Sequence, residues 1–441
     1  MIDFKKVNSV YFIGIGGIGV SAIARMFLLE NKEVHGSDLS ESEITEELQK
    51  LGAKITIGQG VELIPEGIDL IIYTVAIEKY AVDFLAQIKA LAISSLSYPQ
   101  ALHEISNGKY TIAVAGTHGK TTTTAMIAKI LIDAGLDPTV IVGSLLQGST
   151  LDREKGRTFG TNFIAGKSKY LVVEADEYRR GFLNLTPSIL VITVIDEDHL
   201  DYFKDLSDIQ SAFKELIARM PLKGIIIANK ENRNVVAVLE GLPQKILFFE
   251  TPALEEFTLL FPGEHNRRNA AAALHVATEL GIEREKVKIF LAAFQGTARR
   301  FEYKGKMKSG ALVYDDYAHN PQKISALIQG VREKYPNKTL TVVFQPHLYS
   351  RTKDHLDAFA ESLSVADHVI LAPIFPAREK FDPSISSRML AEKIRPLNEN
   401  VRCLDTFEMI TDDLEDSTSR DGVVVTVGAG DIYKVAELLL K

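Results

Sequence analysis

Residues Tyr110-Thr-Ile-Ala-Val-Ala115 run directly into Gly116-Thr-His-Gly119-Lys120-Thr121, and Ala125-Met-Ile-Ala-Lys-Ile-Leu131 follows. An apolar run, a glycine turn, Lys-Thr and a helical stretch predict a strand–loop–helix unit that belongs in a parallel sheet covered by helices. Glycines let backbone N–H groups turn inward around phosphate oxygens, and the helix N-terminus adds its positive end. In that arrangement Lys120 reaches the outer phosphates and the Thr121 hydroxyl reaches magnesium. The first position of the usual G-x-x-x-x-G-K-[ST] pattern is Val114 here.

The same alternation of short β-branched runs with amphipathic stretches continues to both ends of the chain. It predicts an α/β protein, and 441 residues are too many for one core. Three sheet-building segments separate, with expected boundaries at 1–108, 109–296 and 297–441. The first holds Val10-Tyr-Phe-Ile-Gly14, Lys32–Gly36 and Asp69–Tyr73. The second adds Tyr170–Glu174, Ile189–Ile195, Gly224–Ala228 and an Ala-rich helix around Asn269–Ala273. The third holds Leu312–Tyr314, Leu340–Phe344, Val369–Leu371 and Val423–Val427.

A formal charge of -8 without a block of Lys and Arg argues against a nucleic-acid or membrane partner. Cys403, the one cysteine, is expected in a buried strand, and a single thiol allows no intrachain disulfide. With no apolar leader after Met1 and no run of the ~18–20 apolar residues that cross a bilayer, a cytoplasmic protein is expected.

Two more strand ends carry acids and an imidazole, Glu174-Ala-Asp-Glu177 and Asp196-Glu-Asp198-His199-Leu-Asp201. In open parallel sheets ligands gather beyond the carboxyl ends of the strands, so Glu174 and His199 are expected to face the phosphate loop. Thr121 and Glu174 suit a magnesium ion, which prefers oxygen ligands. Taken singly, Glu174, Asp198 and Asp201 read equally well as solvated loop acids. Upstream, Gly14-Ile-Gly16-Gly17-Ile-Gly19 opens a helix, and Asp38 lies nineteen residues beyond Gly19. That fingerprint presents N–H groups to a diphosphate, so a UDP-sugar satisfies it as well as NAD does.

Together these stretches resemble the Mur ligases. The likeness includes Gly116–Thr124, Gly14–Gly19 with Gly36-Ser-Asp38, Glu174–Glu177, Asp198–Asp201, Gly263-Glu-His-Asn266 with Asn269-Ala, and Arg299-Arg-Phe-Glu302. It extends through Asp315-Asp-Tyr-Ala-His319, Phe344-Gln-Pro-His347, Ser350-Arg-Thr352 and Gly428-Ala-Gly-Asp431.

The resemblance implies three α/β domains: a Rossmann-like domain for UDP-N-acetylmuramate, a central ATPase-like domain, and a C-terminal domain that closes over ATP and binds the amino acid. It places Gly14, Gly16, Gly17, Ile18 and Gly19 at the diphosphate, with Asp38, Thr74 and Ala76 in the same nucleotide-sugar site. It places Gly116, Thr117, His118, Gly119, Lys120, Thr121, Thr122, His265, Asn266, Asn269, Arg300 and Asp315 around ATP. Thr121 and Glu174 would hold one magnesium ion and His199 a second that also touches the substrate, and the amino acid would be held by His319, His347 and Arg351. Lys120, Glu174, His199 and Arg300 would be catalytic.

The implied reaction, part of peptidoglycan precursor synthesis, adds L-alanine to the lactyl carboxylate through an acyl phosphate. The enzyme would act as a monomer or homodimer. Leu348 stands where many members carry Arg, so Arg351, alone or with Arg378, would hold the acceptor carboxylate. Val194, Asn320, Thr74–Ile77 and Tyr178-Arg-Arg also depart from the family pattern. Lys214 reads as a surface residue rather than a carbamylated one. The rival readings are a ligase that recycles a preformed tripeptide, a folylpolyglutamate-synthase-like enzyme, a non-catalytic nucleotide-sugar sensor and an NAD dehydrogenase.

Overall fold

The computed structural model describes residues 2–146, 161–200, 202–251, 257–377 and 379–441; Asp201 and Arg378 lie outside them. Its strands form three sheets. The first contains β1 (Ser9–Ile13), β2 (Glu33–Asp38), β3 (Lys54–Ile57), β4 (Leu70–Tyr73) and β5 (Ser94–Ser97). They are ordered β3-β2-β1-β4-β5, all parallel.

The second is built from β6 (Tyr110–Ala115), β7 (Thr139–Leu146), β8 (Thr161–Ile164), β9 (Tyr170–Glu174), β10 (Ile189–Ile192), β11 (Ile225–Asn229) and β12 (Lys245–Phe249). Its order is β12-β11-β10-β6-β9-β7-β8, and only the β8 edge runs antiparallel.

The third comprises β13 (Glu302–Lys306), β14 (Leu312–Asp316), β15 (Thr339–Phe344), β16 (His368–Leu371), β17 (Val401–Cys403) and β18 (Gly422–Val427). The order is β13-β14-β18-β15-β16-β17, with β13 antiparallel at the edge.

Central strands are buried on both faces, so side chains of one strand alternate between two cores. On β1, Val10 and Phe12 enter one core while Tyr11 and Ile13 enter another. On β18, Val423, Val425 and Val427 face one core and Val424 the opposite one.

The three sheets fall into two compact units, residues 1–258 with 268–294, and residues 259–267 with 295–441. Within the first unit one continuous core joins two sheets. It runs from Phe12, Ile23 and Phe27 to Ile141, Phe163, Leu171 and Leu190. The helix Ile18–Leu29 packs on β7 and β8, and buried Asn162 of β8 donates from Nδ2 to Ser21 Oγ (2.9 Å) and to the Ile18 carbonyl.

Two expectations are corrected. The run Ile189–Ile195 stops being strand at Ile192, because Thr193 and Val194 turn to bond the phosphate loop. Cys403 does lie on a strand, β17, yet its side chain is only partly buried. Among the described residues, no helix is long and apolar enough to cross a membrane.

Candidate functional site

In the first two sheets the chain winds outward in opposite directions from neighbouring central strands, and the crevice this creates lies beyond the strands' carboxyl ends. In the first sheet it gathers the loops after β1, β2 and β4. Gly14 has φ +73°, and a Cβ there would sit 2.6 Å from Thr74 Cγ2, so only glycine lets the two loops meet. Asp38 stands at the end of β2. Its Oδ2 accepts from the Gly16 N–H (2.8 Å) and its Oδ1 from Leu39 N–H (2.7 Å). Gly17 precedes the helix Ile18–Leu29, so Gly16 to Gly19 form its entrance. Ala76 donates its N–H to Thr74 Oγ1 at 3.4 Å. The fingerprint residues and the β4 loop thus converge on one helix N-terminus, a ready anion site.

In the second sheet, β6 lies between β9 and β10, and the helix Lys120–Asp133 starts at its end. Gly119 precedes that helix with φ +83°, and a Cβ there would lie 2.4 Å from Asn269 Oδ1. The loop is clasped from the β10 side. Thr117 N–H donates to the Val194 carbonyl (2.7 Å), and Asp196 N–H donates to Thr117 Oγ1 (2.9 Å). Thr193 Oγ1 donates to the His118 carbonyl at 2.5 Å. Thr122 is partly exposed on the first helical turn.

Around this loop the acids close in. Thr121 Oγ1 donates to Glu174 Oε1 (2.9 Å), and Gly143 N–H to Glu174 Oε2 (2.7 Å). Lys120 Nζ donates to both Glu177 oxygens (2.8 and 3.0 Å) and to the Gly116 carbonyl (2.7 Å). Burial works against the ammonium, but Glu177, Asp176 and Glu174 outweigh it and hold the Lys120 pKa above its ordinary range. Burial raises the Glu174 carboxyl, opposed in part by Lys120, the Gly143 amide and the Thr121 hydroxyl.

Donor atoms of Asp176, Glu177 and His199 lie within 4.8 Å of one another, and His199 Nε2 is 4.0 Å from Glu177 Oε1. His199 is held with φ +54° and its ring 4.8 Å from that of Tyr178. Carboxylate and hydroxyl oxygens with one imidazole make a donor set that fits a hard divalent cation.

The sequence reading missed Glu177, Asp176 and Thr193. The signal available was the acid run Glu174-Ala-Asp-Glu177 itself, directly after a strand end, of which only Glu174 was given a role. Lys214, on the helix Leu206–Ala218, is exposed as expected.

The second unit carries its own cluster. His319 donates from Nδ1 to the Tyr317 carbonyl (3.0 Å), and its ring lies 6.3 Å from that of His347. His347 Nδ1 accepts from Arg351 Nη1 (3.2 Å), and the ring stacks on Phe375 at 5.7 Å. Burial first, and nearby Lys323 and Arg351 second, pull His319 well below the ordinary histidine range. The same two kinds of cause, with Arg351 the cation, pull His347 down to about 4. Leu348 has φ +73°, a left-handed turn that a leucine adopts at a cost of roughly 1–2 kcal/mol. That turn starts the short helix Tyr349–Asp354, which carries Arg351 back to His347.

Asp315 is buried, with Oδ2 bonded to Arg299 Nε (3.0 Å) and Oδ1 to Thr426 Oγ1 (2.6 Å). Arg299, unassigned from sequence, also donates to the Gly430 (2.9 Å) and Gly428 (2.5 Å) carbonyls. The guanidinium of Arg300 lies 5.2 Å from the Tyr317 ring. His265 and Asn266 belong to this unit, and Asn266 Nδ2 bonds the Pro262 carbonyl at 2.8 Å.

Fold and site define a phosphate-loop α/β protein with a second, dinucleotide-type loop upstream. Three models of one family match it in succession: the Mur ligase family catalytic domain over residues 9–110, the Mur ligase middle domain over 114–253, and the Mur ligase glutamate ligase domain over 299–430. The chain belongs to the Mur ligase family.

The UDP-N-acetylmuramate–L-alanine ligase of Caldanaerobacter subterraneus subsp. tengcongensis is 38% identical to it over 468 residues, spanning 100% of this chain and 99% of that one. Among solved structures, UDP-N-acetylmuramate-alanine ligase MurC from Thermotoga maritima superposes with a TM-score of 0.80, at 25% identity and 98% coverage of both chains. A murein peptide ligase from Psychrobacter arcticus shares the fold, with a TM-score of 0.71 at 23% identity and 98% coverage of both.

Proposed function

We propose that this chain is an ATP-dependent ligase that joins L-alanine to the lactyl carboxylate of UDP-N-acetylmuramate in peptidoglycan precursor synthesis. One observation carries the reading: full-length identity of 38% to a UDP-N-acetylmuramate–L-alanine ligase, with the phosphate loop, Glu174 and His199 intact. The recycling ligase shares the fold but not that identity, and an intact Lys120 argues against a sensor that has lost catalysis.

In this reading residues 1–108 hold the nucleotide sugar through Gly14, Gly16, Gly17, Ile18, Gly19, Asp38, Thr74 and Ala76. Residues 109–296 hold ATP through the loop Gly116–Thr122 and Asn269. Residues 297–441 supply Arg300 and the acceptor residues His319, His347 and Arg351. His265 and Asn266 serve the adenine, and Asp315, fully engaged by Arg299 and Thr426, braces the turn that presents Arg300.

The lactyl carboxylate attacks the γ-phosphorus, ADP leaves, and an acyl phosphate forms. The neutral amine of alanine then attacks the acyl carbon, and phosphate departs as the amide forms. Lys120 and the amino end of its helix stabilise negative charge on the transferring phosphoryl group. Thr121 and Glu174 would hold one magnesium ion and His199 a second, and these would supply further positive charge to the phosphates. Arg351, hydrogen-bonded to His347, offers its guanidinium to the acceptor carboxylate. The enzyme works in the cytoplasm as a monomer or homodimer.

ADP release with UDP-N-acetylmuramate and a panel of alanine, glycine, serine and a tripeptide tests the proposal. Alanine should give the highest kcat/KM. A preference for the tripeptide would assign the recycling activity instead.

A further inference from the structure

An ammonium group has three hydrogens to give. Those of Lys120 already have three acceptors, the Gly116 carbonyl and both oxygens of Glu177. The loop that is built to meet a phosphate therefore holds its cation against a carboxylate of the protein itself. Glu177 is 2% exposed, so its charge must be matched inside the fold. When a nucleotide's phosphates draw Lys120 away, that buried carboxylate loses the cation that balances it. Two neighbours share its space, His199 at 4.0 Å and Asp176, and the three present donor atoms within 4.8 Å of one another. Asp176 and His199 alone are a poor shell for a divalent cation, and the carboxylate of Glu177, freed of Lys120, supplies the third donor.

We propose that Glu177 is a positioning residue that parks Lys120 in the free protein and exchanges it for the divalent cation arriving with the nucleotide. Lys120 moves to the phosphates as Glu177, with Asp176 and His199, passes to the cation. The inference rests on reading the Gly116–Thr121 loop as the ATP site. It explains why a buried acid that is not among the expected magnesium ligands lies against the phosphate-loop lysine. It also requires metal-free nucleotide to compete with Glu177 for Lys120, whereas nucleotide with metal compensates Glu177 for the loss.

The two conditions therefore respond to Glu177→Gln with opposite sign. The test is calorimetric titration of the full-length protein with ATP, once in EDTA and once in excess magnesium, without the other substrates. Removing the competing charge should tighten ATP binding in EDTA by about tenfold, the scale of one hydrogen bond to a charged group. In magnesium the same variant should bind ATP more weakly than wild type. Glu177→Asp, which keeps a shorter carboxylate, should fall between wild type and Glu177→Gln in both conditions, and it serves alone if the glutamine variant does not fold. Weaker binding in both conditions, or unchanged binding in both, overturns the exchange. If wild type binds no ATP in either condition, the ATP assignment itself is overturned. Binding by wild type with no change of sign in the variants overturns only the role of Glu177.

Discussion

At the scale of single residues, Lys120 carries the largest consequence. Lys120→Ala removes a positive charge from the phosphoryl-transfer transition state, a loss of ~3 kcal/mol or more, about 100-fold in rate. ADP release measured at saturating substrates should fall by at least that factor while circular dichroism stays unchanged. A tenth of wild-type activity in the variant would show that the phosphate loop has been wrongly placed. Arg351→Ala should raise KM for alanine at least tenfold, because the acceptor carboxylate would lose its guanidinium partner. Steady-state kinetics on alanine check this, and an unchanged KM would move the acceptor site elsewhere.

His347 makes stability depend on acidity. Its pKa is about 4 in the folded chain against an ordinary 6.5, with burial and then Arg351 as the causes. Between those values the unfolded chain takes up a proton that the folded chain refuses, so stability falls as pH drops from about 6.5 toward 4. Above 6.5 both forms are neutral and the histidine contributes nothing. His319 acts in the same direction. Unfolding temperatures at pH 7.5 and pH 5 should therefore differ less in His347→Asn than in wild type.

Among the elements, the ones legible in the sequence are those whose strands are covered on both faces. β1, β6, β10, β15 and β18 are almost wholly buried and appear as predominantly apolar, β-branched runs. β3, β5, β12 and β13 lie at or near sheet edges with largely exposed or half-exposed side chains. In β3, β5 and β13 a mixed composition, such as Glu-Tyr-Lys-Gly-Lys for β13, hides the strand from an apolar-run search, whereas β12, Lys-Ile-Leu-Phe-Phe, is apolar and was simply missed. β7 and β8 were missed although they are mostly buried, because β8 has four residues and β7 ends in Gly-Ser-Leu-Leu.

The site divides in the same way. Glycine loops and strand-end acids announce themselves by type and spacing. The pairing of Lys120 with Glu177, and of Arg299 with Asp315, depends on which strands become neighbours, and no local pattern encodes that. The turn at Gly119 is a local feature with a measurable consequence. Gly119→Ala forces a left-handed alanine at roughly 1–2 kcal/mol and drives its methyl into Asn269. Nucleotide affinity measured by calorimetry should fall at least tenfold, and unchanged affinity would mean that the loop is not shaped by this contact.

For the whole molecule, the continuous core through the first two sheets decides what can fold alone. A fragment of residues 1–108 would leave the face of the helix Ile18–Leu29 without Ile141, Phe163 and Asn162. It should bind a hydrophobic dye and melt without a cooperative transition, whereas a fragment of residues 1–294 should melt cooperatively. Cooperative melting of the shorter piece would show that the shared core is dispensable. The same core limits how such a chain can be rebuilt by recombination. The first sheet looks like a portable cassette, since its five strands are consecutive and carry a complete glycine loop. Its outer wall, however, is encoded well downstream of the last of them, in β7 (Thr139–Leu146) and β8 (Thr161–Ile164). A crossover placed in the gap near residue 108 separates two halves of one hydrophobic surface. Only parents that match at both places should yield a sound chimera, so the end with the upstream glycine loop and the end with the phosphate loop should be exchanged together.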